Sequence, residues 1–263
     1  MNATELFESG KLQEAIEAQI REVKASPGNR EARLFLFELL SFAGDIDRAE
    51  KQIGLIKYDD LRLQTAVEWY KALIAAERLR RQCFEEGLSP EFLTQPPEHL
   101  LIRMEALNRL REDKPDEAKV LLDEANQRTP SVQGELNGKS FDMLRDWDDV
   151  CSSFLEVMAH GKYCWLPFEH IHEMTMKAPS APRDLIWPLV RVRVKEVGAI
   201  QVFVSAMYFG SWQQEDDLIK FGRVSDWKEY SNGLVQGLGS RLFLVGEDDI
   251  PLLDWRELKI TPE

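Results

Sequence analysis

Two short stretches, GKLQEA (Gly10–Ala15) and GDIDRA (Gly44–Ala49), share the pattern Gly-x-x-x-x-Ala, and the second lies 34 residues after the first. That step is the length of a helix–turn–helix unit that stacks on copies of itself, as in tetratricopeptide arrays. The glycines fall where a first helix must stop and reverse, a position that favours positive φ. The alanines fall on the second helix, where a small side chain lets two helices approach closely. Pro27, twelve residues after Ala15, closes the unit. A third copy is DKPDEA (Asp113–Ala118), with Asp in place of Gly and Pro130 again twelve residues beyond the alanine. Between the copies, residues 64–86 read as one longer, degenerate helix in which Ala66, Trp69, Leu73, Ala76 and Leu79 keep a helical period. Residues 88–100 form the loop before the last unit. An ordinary helical bundle is the alternative, but the third copy with its proline favours repeats.

Stacked helix pairs expose a concave face lined by the first helix of each unit, a shape suited to peptides or partner helices. Helical geometry turns Leu34, Glu38, Ser41 and Phe42 towards that face in the second unit, and Arg103 and Leu107 in the last. These are the candidate partner-binding residues. The competing assignment of Leu34 and Phe42 is plain core.

Beyond Pro130 the texture changes. SVQGELNGKSF (131–141) is polar and glycine-containing, and reads as a connection between helical repeats at 1–130 and a second domain at 142–263. A helix is expected over 142–160, with Leu144, Val150, Phe154, Leu155 and Met158 on one side. Strands are expected over 162–168, 171–178, 185–194, 199–208, 240–246 and 250–258, where residues alternate or β-branched and aromatic types are enriched. Val190, Val192 and Val194 alternate with Arg191, Arg193 and Lys195, the pattern of a half-solvated strand. Six of the seven tryptophans lie here: Trp147, Trp165, Trp187, Trp212, Trp227 and Trp255. The expected fold class is therefore α+β, a tetratricopeptide-like helical array followed by an antiparallel β-rich domain.

A formal net charge of −13 with no basic stripe opposes binding to a phosphate backbone, so no nucleic-acid partner is expected. The most apolar segment, Ala199–Gly210, is interrupted by Gln201 and Ser205 and falls short of the roughly 20 residues a spanning helix needs. No membrane association is expected. The opening MNATELFESGKLQEAIE lacks a basic start and a long apolar stretch. Three widely spaced cysteines (Cys83, Cys151, Cys164) fit a reducing compartment, so a cytoplasmic location is expected.

No strong catalytic motif is present. GLGSR (237–241) lacks the third glycine of a dinucleotide loop and reads as a hairpin turn. FGSW (209–212) is not a nucleophile elbow. Cys151, His160, Cys164, His170 and His172 form a possible zinc set, but C-x5-H-x-H matches no closed structural site. Period 2 equally puts His170 and His172 on the solvent side of a strand, and no metal or other cofactor is expected. Asp146, Asp148 and Asp149 read as acids at a helix start, favoured by the dipole, in preference to a catalytic pair or cation site. Arg183 and Asp184 read as an ion pair holding the 178–184 loop.

Taken together, FDMLRDWDD, LEVMAHGKYCWLPFEHI, APSAPRDLIWP, SAMYFGSW, GLGSRLFLV and PLLDWREL resemble the C-terminal domain of the ImpE family, also called TagJ or SciE-type proteins, and the repeat-like helices resemble that family's other half. The most specific portion is Gly161–Phe168 with Arg183–Trp187. The resemblance marks Trp165, Pro167, Phe168, Arg183, Asp184 and Trp187 as family-motif residues of structural character. It implies a cytoplasmic, non-enzymatic accessory protein of the bacterial type VI secretion system. It further implies binding to the N-terminal helical segment of the small contractile-sheath subunit, and so a bearing on the sheath-recycling ATPase. The alternative from another class is an enzyme or ligand module whose pocket gathers His170 or His172 with Asp184.

Overall fold

The computed structural model describes residues 1–261. Helices fill the first half: α1 (Ala3–Glu8), α2 (Leu12–Ala25), α3 (Arg30–Phe42), α4 (Ile46–Gly54), α5 (Leu61–Glu86), α6 (Glu98–Arg111) and α7 (Pro115–Arg128). The pairs α1–α2, α3–α4 and α6–α7 pack against one another across short turns. The repeated marks act as their chemistry dictates. Gly10 and Gly44 hold φ of 75° and 70° in those turns, and Asp113, a residue type that tolerates the left-handed region, holds 57°. Ala15, Ala49 and Ala118 are all 0% exposed. Polar side chains cap the helix starts, relieving amides with no intrahelical acceptor: Asn29 accepts from Ala32 N–H, Asp45 from Arg48 N–H, and Asp60 from Arg62 and Leu63 N–H.

The second half comprises β1 (Gly134–Leu136), β2 (Lys139–Phe141), β3 (Leu144–Asp146), β4 (Phe154–Ala159), β5 (Lys162–Pro167), β6 (Ile171–Met176), β7 (Leu189–Val194), β8 (Gly198–Val204), the short helix α8 (Asp217–Lys220), β9 (Ser225–Glu229), β10 (Val235–Gly239), β11 (Leu242–Val245), β12 (Asp248–Pro251) and β13 (Glu257–Ile260). An eight-stranded sheet runs in the order β2-β1-β13-β6-β7-β8-β4-β5, antiparallel throughout. A three-stranded sheet, β12-β11-β3, and the β9–β10 hairpin complete the half. The molecule is α+β.

One face of the large sheet presents Leu155, Val157, Leu166, Met174, Val190, Val192, Val194 and Leu258 to a core shared with Phe243 and Val245 of the smaller sheet and with Trp255. The opposite face, at β4, β5 and β8, presents Phe154, Met158, Tyr163, Trp165 and Phe203 to the helices, in one continuous core with Leu36, Phe42, Leu73 and Leu107. The two halves are thus joined through the sheet.

Four expectations change. The strand expected over 250–258 is instead the end of β12, a 3-10 turn at Leu252–Asp254 and the start of β13. Residues 142–160 are not a helix but β3, a turn and β4. Every residue of β4 is buried because both faces of the strand are covered, which erases the period-2 signal. Residues 131–141 are not a bare connection: they contain the β1–β2 hairpin, turned by Asn137 and Gly138 at φ 52° and 81°, the conformations a tight two-residue hairpin turn demands. GLGSR is not a hairpin turn, since Gly237 and Gly239 lie within β10; a Cβ on Gly237 would meet the Tyr208 ring at 2.4 Å. The alternation at 190–195 matches β7, with its valines buried and its arginines exposed.

Candidate functional site

Of the six side chains proposed to line a free groove, Glu38, Phe42 and Arg103 are held by the chain's own second half. Glu38 is buried and paired with Arg183, whose Nε also donates to Tyr70 Oη at 2.8 Å. Burial raises the Glu38 carboxyl and the adjacent guanidinium only partly offsets it. Ser41 is buried and donates to the Phe37 carbonyl of its own helix at 2.8 Å. Phe42 packs against Phe221, with ring centroids 5.3 Å apart, and Phe221 in turn meets Phe7 edge-on at 5.1 Å. Arg103 is fully buried, donating to the Asp149 carbonyl at 2.8 Å and to Asn126 Oδ1 at 2.6 Å, and burial pulls it down to about 10. Leu107 is buried in the same core, while Leu34 is half-buried and packed against it. An apolar helix face does not record whether its cover comes from another chain or from its own.

The seam is built around Glu156 on β4, which points to the helical side. Arg80 of α5 donates to it through Nε at 2.7 Å and through a terminal nitrogen at 3.1 Å. Arg241 pairs with its other side, and Tyr163 Oη donates to it at 2.5 Å. Taking a carboxylate out of water costs several kcal/mol. Burial accordingly acts to raise Glu156, but the two guanidinium groups outweigh it and hold the group down to about 2. Arg241 also faces Asp146 at 3.2 Å. Asp146 Oδ1 accepts from Tyr208 Oη at 2.7 Å and from Asp148 N–H at 2.9 Å. Burial pushes Asp146 up to about 7, with Arg241 opposing and Asp148 adding.

The acids of RDWDDV are structural, though not as helix-start residues. Asp148 accepts from Val150, Cys151 and Gly237 N–H, and Asp149 from Val235 N–H, so they fasten the β3–β4 turn to β10. The expected Arg183–Asp184 pair is absent among the described residues: Asp184 accepts from Ser180 and Ala181 N–H and shapes its own turn, while Arg183 crosses the seam. Trp165 stacks on Phe154 with centroids 4.1 Å apart and donates to Tyr163 Oη at 2.8 Å. Phe168 and Trp187 are buried, and Pro167 ends β5.

The histidines and cysteines do not converge. His160 occupies the exposed β4–β5 turn, and His170 Nδ1 lies 2.6 Å from Thr94 Oγ1. Burial pushes the Cys164 thiol up to about 11 and raises the Cys151 thiol as well. Among the described residues no three His, Cys, Asp or Glu side chains gather as a metal would require. His170 and His172 line a recess of about 230 Å³ that does not include Asp184. His99, which sequence reasoning passed over, sits buried between Glu169 at 2.6 Å and Ser153 at 3.3 Å. Among the described residues no helix is long and apolar enough to cross a membrane.

One feature left outside the seam is an open cleft of about 570 Å³ between α5, the β4–β5 turn and the outer face of β7–β8. Its walls include Trp69, Leu189, Arg191, Gln201 and Phe203, none singled out from sequence for binding. The signal available was Trp69, a large aromatic in the apolar stripe of that helix that stays 46% exposed in the fold.

The ImpE protein family signature matches residues 138–259, essentially the sheet half. The crystal structure of protein VPA1032 from Vibrio parahaemolyticus superposes with a TM-score of 0.90, covering 99% of this chain and 98% of that one; at 23% identity the likeness is one of fold. The type VI secretion system accessory component TagJ of Pseudomonas aeruginosa is 32% identical over 262 residues, spanning all of this chain and 92% of that protein. With a relative of that identity along its entire length, and the family's own signature over its sheet half, the chain belongs to the ImpE family.

Proposed function

We propose that this chain is a cytoplasmic, non-catalytic accessory protein of a bacterial type VI secretion system. In this reading it captures the N-terminal helical segment of the small contractile-sheath subunit and through it bears on the sheath-recycling ATPase. The observation that carries the reading is the full-length match to a protein named as an accessory component of that system. The architecture supports it in kind: the helical half, taken as a tetratricopeptide-like scaffold, is a type of framework that presents surfaces to peptides and helices. The enzyme alternative gains no support from the recess that His170 and His172 line, which does not include Asp184. Of the residues drawn from helical geometry, Glu38, Ser41, Phe42, Arg103 and Leu107 are buried, so this reading looks to a different surface.

The test is a calorimetric titration of the chain with the intact small sheath subunit and with the same subunit lacking its N-terminal segment. Saturable binding to the first and none to the second is the expected result. Equal binding to both, or no heat with either at high micromolar concentration, refutes the proposal.

A further inference from the structure

The cleft beside α5 stands apart from the rest of the surface in charge. The chain carries 46 acidic residues against 33 Lys and Arg. Yet the cleft is lined by an arginine and a histidine, Arg191 and His160, and by no carboxylate among the described residues. Arg193, one step along the same strand face, is held by Glu173 at 3.1 Å. Arg191 makes no ion pair or side-chain hydrogen bond among the described residues. It is a cation with an open valence at the wall of an apolar trough.

The trough's shape follows from the layering. The C-terminal part of α5 seals the helix-side face of the sheet over β4 and β5. Over β7 and the start of β8 that face is only partly covered: Leu189 pairs across the strands with Phe203, and Arg191 with Gln201, so all four side chains project from one surface, on which Phe203 is buried against Tyr70 and the other three are exposed. Trp69 of α5 and Leu189 of β7 look into the gap from two sides and are 46% and 36% exposed. A sheet face covered by one helix, with an empty strip beside it, has room for a second helix in the same layer. From these observations we infer that the cleft is the docking surface for an amphipathic helix of a partner protein. Its apolar side lies against Trp69 and Leu189, and a carboxylate about one turn away meets Arg191. This rests on the proposed function for the choice of probe, and adds the surface and the chemistry of the occupant.

The probe is a fluorescein-labelled synthetic peptide of the small sheath subunit's N-terminal segment, titrated by anisotropy into the full chain. Variants Trp69→Asp and Arg191→Glu change solvent-facing side chains and are expected to keep the wild-type circular dichroism, which is checked before binding is compared. Each is expected to weaken binding by about tenfold or more, as for anchors at the centre of an interface. A peptide with proline at its midpoint, which cannot form a continuous helix, is expected to lose binding to the wild type. Wild-type affinity in both variants overturns the assignment of the surface while leaving the proposed function standing. Retained binding of the proline peptide overturns the helical occupant. Failure of the wild type to bind the unmodified peptide overturns the proposed function and this inference together.

Discussion

Along α5 the surroundings change within a few turns. Leu61, Leu63 and Trp69 are 80%, 51% and 46% exposed, whereas Ile74 and Ala76 are at 0% and Arg80 at 2%. The buried part meets β4 and β5 through an apolar core and the Arg80–Glu156–Arg241 cluster. The earlier part overhangs a sheet face on which Tyr70 covers Phe203 while Leu189, Arg191 and Gln201 stay exposed. Burial at the seam is complete in both apolar and ionic terms, so its residues respond to substitution through stability. Residues of the overhang respond through whatever they meet in solution. The same helix thus separates what holds the molecule together from what it presents outward.

The contrast is broken most severely at Glu156. Glu156→Ala leaves Arg80 and Arg241 buried without their common counter-charge, and the loss of one member of such a cluster costs about 3–5 kcal/mol. Urea unfolding should show the midpoint falling accordingly; a change of under 1 kcal/mol (roughly the value of an exposed pair) would mean that the cluster does not hold the halves together.

The repeat glycines sharpen the comparison, because they hold one local role in two settings. Both have positive φ, so Gly10→Ala is expected to cost about 1–2 kcal/mol. At Gly44 a Cβ would also lie 2.3 Å from the Trp212 ring, which is itself packed under Arg81 with the guanidinium 4.1 Å from the ring centroid. Gly44→Ala should therefore cost a further 1–3 kcal/mol or so. Equal melting-temperature losses in the two variants would show that the seam yields at Trp212.

The finest distinction is one of pH. Asp146 stands at about 7 in the fold against an ordinary 3.8, so the folded chain keeps this proton after the unfolded chain has released it. Its contribution therefore favours folding below about pH 4 and is lost as pH rises through 7. Glu156 has the opposite sign: held at about 2, its contribution is present above about 4.5 and lost as pH falls below that. The difference in stability between wild type and Asp146→Asn should decline between pH 4 and 7, by up to about 1.4 kcal/mol per pH unit. Parallel stability–pH curves for the two proteins would refute this.

The helix pairs were legible because Gly10, Gly44 and Asp113 mark turns by backbone conformation and Ala15, Ala49 and Ala118 mark close approach, both local demands. The strand at Leu189–Val194 was legible because one face meets a core and the other meets solvent. β4 was not, because two cores claim its two faces and a run such as FLEVMA carries no period. The β1–β2 turn did carry a local signal, Asn137-Gly138, that was passed over as part of a polar linker. The candidate surface was misplaced for another reason. Glu38 and Phe42 are covered by Arg183 and Phe221, which lie more than a hundred residues away in the chain, and no local pattern encodes that meeting.

The two-sided burial of Phe154–Ala159 has a bearing on how this protein could be cut or rebuilt. Truncation after the helices would strip the lid from Leu36, Phe42 and Leu107, and removal of the helices would bare Phe154, Met158 and Trp165. Each fragment would then carry a wide oily patch into water. The polypeptide is in this sense indivisible, its β4–β5 ribbon serving as the party wall of two rooms.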